Sequence, residues 1–138
     1  MLRDKKGQAL VEMALVLPLL VYIMMAIATF GIAVNSKIAV SGAAREAARE
    51  YAIYKDPSRM RNRAEDFLKG SITASPAEFA QNFNKMTDVT YTVNGDYVTV
   101  KVTYRQPVYV PGAFLLLGGA GIGDRMTLSS SATFKMEQ

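Results

Sequence analysis

At 138 residues, with no Cys, His or Trp, the chain has room for one folded unit beside a membrane segment. Those absences remove thiol nucleophiles, disulfides, the commonest zinc ligands and the usual proton-transfer side chain near neutral pH, so the composition argues against an enzyme and points to no cofactor or metal. The formal net charge of +4 is spread along the chain, without a dense Lys/Arg block among aromatics, which argues against nucleic acid as a partner.

The first element begins in "KKGQALVEMALVLPLL", residues 5–20. A basic leader holding Arg3, Lys5 and Lys6 runs to Gly7, and an apolar run follows that carries one carboxylate, Glu12. From Met13 to Ser36 there is no charge, and Met13 to Val34 is apolar except for Thr29, with Pro18 and Gly31 as the helix-weakening residues. Twenty-two residues of helix span about 33 Å, against about 30 Å of bilayer hydrocarbon. A transmembrane helix over residues 8–36 is the expectation. A buried core helix in so small a protein would keep a polar face, which this run lacks. A cleavable secretory signal shares the basic start but has an apolar core of about 7 to 15 residues. Pro18 has no N–H to give the carbonyl of Ala14, so a bend is expected there. The basic cluster before the run favours a cytoplasmic N-terminus and an extracytoplasmic head over 37–138.

An ionised group deep in lipid costs on the order of 2.5 kcal/mol or more, which makes Glu12 a functional candidate in need of a partner. The competing reading places Glu12, one and a half turns from Lys6, among the headgroups, where the charge costs little.

Beyond the run, "KIAVSGAAREAAREYAIYKD" (37–56) is rich in good helix formers. Val40, Ala44, Ala47, Tyr51 and Tyr54 recur at steps of three or four, with Arg45, Glu46, Arg49 and Glu50 on the other faces. No breaker stronger than Gly42 intervenes, so one rod from Gln8 to Lys55 is expected, about 70 Å long. The small residues of "SGAAREAA" suit close approach by another backbone, and suit a plain high-propensity helix as well. "DPSRMRNRAEDFLKG" (56–70) opens on Asp-Pro and closes on Gly, the marks of a short helix. "SPAEFAQNF" (75–83) reads as a second, capped by Ser75 with Pro76 at its first position. Arg59, Arg61 and Arg63 alternate every second residue and read as solvated surface.

"DVTYTVNGDYVTVKVTYRQPVYVP" (88–111) is the strongest strand signal. With Asn94-Gly95 as a type I′ turn, Tyr91 faces Val98 and Val89 faces Val100, leaving Thr90, Thr99, Lys101 and Thr103 on a polar face. One apolar and one polar face suit an antiparallel sheet packed on a helix. "MTLSSSATFKM" (126–136) reads as a last strand with Met126, Leu128, Ala132, Phe134 and Met136 on one side. The Gly-rich "PGAFLLLGGAGIGD" (111–124) between them lacks a phosphate-loop lysine and a dinucleotide fingerprint, and reads as a surface loop whose Phe114 to Leu117 could touch a neighbour or the membrane surface.

"KGQALVEMALVLPLL", with Gly7, Gln8, Val11, Glu12, Met13, Ala14 and Pro18, together with Ala43, Ala44, Arg45, Glu46 and the closing "SSSATFKMEQ", resembles the TadE-like proteins, minor pseudopilins of the bacterial tight-adherence (Tad, or Flp) pilus machinery. The resemblance extends over nearly the whole chain and is most specific in residues 7–52. It implies an α+β, type IV pilin-like fold, with a long N-terminal helix on a small antiparallel sheet. It also implies cleavage by a prepilin peptidase between Gly7 and Gln8, which makes Glu12 the fifth residue of the mature chain and the freed α-amino group, on the same or a neighbouring subunit, its cation. The implied role is pilus biogenesis, adhesion and biofilm formation. The implied partners are the major Flp-type pilin, other minor pseudopilins, inner-membrane platform proteins and a secretion ATPase, and the implied locations are the bacterial inner membrane and, for a subunit that enters the fibre, the extracellular pilus. The alternative is an uncleaved single-pass scaffold of a Tad-type secretion machine.

Overall fold

In a computed structural model, the described residues are 2–108 and 125–137, with residues 2–6 described by their backbone. Three helices, α1 (Leu2–Tyr54), α2 (Pro57–Ser71) and α3 (Pro76–Asn82), precede three strands, β1 (Val89–Asn94), β2 (Tyr97–Pro107) and β3 (Arg125–Lys135). The strands form one antiparallel sheet in the order β1-β2-β3, and α1 lies across it. This is the α+β, pilin-like arrangement expected of the chain.

The expected rod forms as one helix of 53 residues, about 80 Å long. It passes through Pro18 unbroken. Its end has a local cause: Pro57 pushes Asp56 out of the helical region, to φ −110 and ψ 111, and Lys55 turns left-handed at φ 54 to make the corner. Asp56 then caps α2, its side chain accepting from the backbone N–H of Ser58 at 2.8 Å and of Arg59 at 3.4 Å. Gly70, expected as the stop of α2, lies inside its last turn. The helix runs to Ser71 and ends because Ile72 is extended, with its N–H on the carbonyl of Leu68.

The head half of α1 is buried on two sides. Ala43, Ala44, Ala47 and Ala48 are fully covered, and without bulk of their own they let α2 and the sheet approach the backbone closely. Against α2, the contacts recur every four residues in antiparallel register: Gly42 under the Phe67 ring, Glu46 on Arg63 at 2.6 Å, Glu50 on Arg59 at 3.6 Å. Arg59 also lies 4.0 Å above the Tyr54 ring. Two of the three arginines expected to be solvated surface thus fasten α2 to α1, because an antiparallel pair brings their side chains to the glutamates of the facing helix. Tyr54, expected on the buried face, is exposed instead, since the rod leaves the sheet in its last turn. Tyr51 stays with the sheet, its ring 4.9 Å from that of Tyr91.

The hairpin has a different turn from the expected one. Asn94 pairs with Tyr97, leaving Gly95 and Asp96 as the loop, and Val93, not Tyr91, faces Val98. Gly95 has φ 59 and Asp96 has no positive φ, which suits a type II′ turn with glycine first rather than type I′. The partner of each residue moves by two, so every side chain keeps its face. Val98, Val100, Val102 and Tyr104 therefore line the core, and Thr99 stays on the polar face, where it meets Thr133 hydroxyl to hydroxyl at 2.8 Å. β3 matches its expected facing: Met126, Leu128, Ala132 and Phe134 stand opposite Gln106, Tyr104, Val100 and Val98. Met60, Ala64 and Leu68 of α2 complete the core with Phe79 and Phe83. Ser75 and Glu78 close a reciprocal capping box on α3. The loop 111–124, with the expected contact at Phe114 to Leu117, lies outside the described residues.

Candidate functional site

The two halves of α1 meet opposite environments. From Gly7 to Leu20 every side chain is exposed, including Leu10 at 72% and Leu15 at 73%. Large apolar residues stay bare as far as Val34. From Gly7 to Leu20, where no described residue of the head packs on it, a rod apolar all round is stable only in lipid or against other helices. Among the described residues α1 is the one helix long and apolar enough to cross a membrane. Thr29 does not break that character, because its hydroxyl donates to the carbonyl of Met25 at 2.9 Å.

The four residues expected to carry function sit in this bare half. Gly7 is helical, and a side chain there would meet nothing within 4 Å outside the helix itself. Gln8 and Glu12 are four residues apart, one turn and about 6 Å along the axis, on the same face. Glu12 is exposed, and among the residues described with their side chains, which begin at Gly7, no cation reaches its carboxylate. Pro18 lies a further turn and a half down the helix, where the carbonyl of Ala14 lacks its usual donor.

The head takes hold of the rod through groups that hydropathy alone did not mark. Ser36, 1% exposed, donates to Oε1 of Gln106 at 2.5 Å, and Lys37 donates to the carbonyl of Ser129. At the far end the N–H of Glu137 donates to the carbonyl of Ala52 at 3.2 Å. A glutamine in the alternate series Val98, Val100, Val102, Tyr104, Gln106 was the available signal, since a polar residue on a core face needs a partner. Asp88 and Arg105 are a second pair not anticipated. Arg105 donates twice to Asp88, at 3.0 and 2.8 Å, and the N–H of Asn84 donates to the same carboxylate at 2.8 Å. Among the described residues no group of three or more Asp and Glu could hold a metal.

The family model described as TadE-like protein matches residues 7–49. This stretch is a TadE-like segment. It starts at Gly7, takes in the bare half of α1 with Glu12 and Pro18, and ends at Arg49 among the alanines packed between α2 and the sheet. The remainder of the head lies outside the TadE-like segment. No curated protein and no solved structure matches the chain.

Proposed function

We propose that the protein is a structural, non-catalytic assembly subunit of a Tad (Flp) pilus system, a minor pseudopilin held in the bacterial inner membrane by α1 with its N-terminus in the cytoplasm and its head outside. The observation that carries this reading is the coincidence of the TadE-like segment with a single helix whose first half is bare and apolar and whose second half is the spine of a folded head. Such a rod can rest in lipid and later pack against other rods, because both environments cover the same apolar surface.

On this reading a prepilin peptidase cuts between Gly7 and Gln8. The new α-amino group of Gln8, on the same subunit or a neighbour, becomes the cation for Glu12, so the cost of an unpaired carboxylate in lipid, about 2.5 kcal/mol or more, drives subunits together. Partners are then the peptidase, the major pilin and other minor pseudopilins, the membrane platform and its ATPase, in the service of adhesion and biofilm formation. Intact-mass measurement tests the processing step: wild type should begin at Gln8, and Gly7→Lys should retain the leader and block piliation. An unprocessed wild-type chain beside normal pili would favour the second reading, a permanently anchored scaffold. Glu12→Leu should still insert but fail to join the assembly; normal assembly by that variant would remove the pairing role.

A further inference from the structure

We infer that the head sets the depth of the rod, so that lipid hydrocarbon ends on α1 at about Ala28 and Glu12 lies inside the apolar layer rather than among the headgroups. The inference rests on the spanning role of α1 and not on cleavage at Gly7. The connection from α2 to α3 hangs down beside the rod: Ile72 and Thr73 line a cavity of about 490 Å³ together with Ala28, Gly31, Ile32, Asn35 and Ser36. Ala33, in the middle of that stretch, is only 7% exposed.

The backbone of this connection cannot sit in lipid. Residues 72–75 are not helical, and α2 ends at Ser71 with the carbonyls of its last turn beyond the reach of intrahelical donors. Among the described residues, only the carbonyls of Leu68 and Ile72 are met here, by the N–H groups of Ile72 and Ala74. Gly70, Ser71 and Thr73 are exposed. Lipid-exposed irregular backbone is not found in the hydrocarbon layer, where neither water nor headgroup can satisfy it. The layer must therefore stop below the turn, although the apolar sequence continues to Val34.

Counting down from Ile27, about 30 Å of hydrocarbon takes about 20 residues, which brings its other boundary to Gln8. Glu12 is then about 6 Å inside that boundary, and Lys5 and Lys6 fall outside it. A layer ending at Val34 would begin near Leu15 and leave Glu12 with the headgroups. The seat of the head thus displaces the membrane by seven residues of helix, about 10 Å, enough to decide between a solvated and a desolvated carboxylate.

The chain has no Cys, so single cysteines report depth directly. Leu10, Met13, Leu20, Met24, Ile32 and Val34 are each replaced by Cys in the full chain, reconstituted at low density in vesicles. Labelling by a membrane-impermeant maleimide is then timed from each side, and in detergent as a reactivity control. Ile32 and Val34 are 43% and 44% exposed in the folded chain, so protection by the head would not hide them. Expected is labelling of Ile32→Cys and Val34→Cys from the head side at least tenfold faster than Leu20→Cys or Met24→Cys, with Leu10→Cys and Met13→Cys protected from both sides. Protection at 32 and 34 together with labelling at 10 and 13 overturns the inferred depth while leaving the span intact. Rapid labelling at 20 and 24 as well would mean that α1 does not span at all, which overturns the membrane reading on which the inference rests.

Discussion

Lys55 takes the left-handed conformation at the corner between α1 and α2, with its N–H on the carbonyl of Tyr51 at 2.8 Å. A side chain there costs about 1 kcal/mol that glycine avoids. Lys55→Gly should therefore raise the stability of the head by up to about 1 kcal/mol, read as a shifted urea midpoint at unchanged slope on the full chain in detergent. The reverse holds at Gly95, where φ 59 suits glycine: Gly95→Val should cost about 1 to 3 kcal/mol in the same assay. Asp88 is the most committed polar residue of the head, 4% exposed and held by Arg105 and the Asn84 amide. Asp88→Ala removes the acceptor of both donors, which solvent can then reach, and should cost about 1 to 2 kcal/mol, whereas Lys101→Ala on the exposed face of the same sheet should be near neutral. Of these three roles only that of Gly95, a turn glycine, follows from residue type. Those of Lys55 and Asp88 depend on where the chain turns or what a distant strand brings alongside.

At the scale of elements, α1 is a thin spacer between α2 and the sheet, and its alanines set the spacing. Ala44→Leu adds three carbons where nothing can move aside and should cost about 1 to 3 kcal/mol or more, while Ile53→Ala on the exposed side should cost little. The turn after α3 is fastened to α2 by charge. Lys69 at 2.8 Å and Lys85 at 2.9 Å flank Glu65, and their hydrogen bonds, that of Lys69 foremost, hold its carboxyl below the ordinary value of 4.5. The backbone N–H of Ser75, then its hydroxyl, lowers Glu78 in the same direction. A depressed folded value means that stability is full above the unfolded value and is lost as pH falls through the folded one. The head should accordingly weaken below about pH 4.5. Glu65→Gln should flatten the acid limb of a denaturation-against-pH curve relative to wild type, and an unchanged limb would show that the two lysines contribute nothing there.

For the whole molecule, the decisive property is that one helix serves two solvents. If the bare half of α1 lies in lipid, Val16→Arg combined with Leu20→Arg puts two charges near the centre of the layer, each at about 2.5 to 3.5 kcal/mol. That variant should leave the membrane pellet on alkaline extraction, while a variant carrying Ile38→Arg, beside the head, should remain in it. Retention of the doubly charged chain would mean that the head, and not the rod, makes the attachment.

Much of this architecture was legible in the residues alone. The apolar run, the Ala/Arg/Glu helix after it, the Ser75 cap and the alternation in 88–107 and 126–136 each express a local rule: the period of a helix, the period of a strand, the donors left open at a helix start. The TadE-like stretch around Glu12 was visible for the same reason, since it is a contiguous pattern. Tertiary structure decided what periodicity could not. It chose Gly95-Asp96 over Asn94-Gly95 as the turn, because both keep the same faces and only packing separates them. It gave Arg59 and Arg63 their glutamates, because those partners lie 9 and 17 residues away and meet only when α2 folds back. And it lowered the turn after α2 beside Ala28, where backbone that needs water marks a limit on the rod that an apolar sequence, uniform to Val34, does not contain.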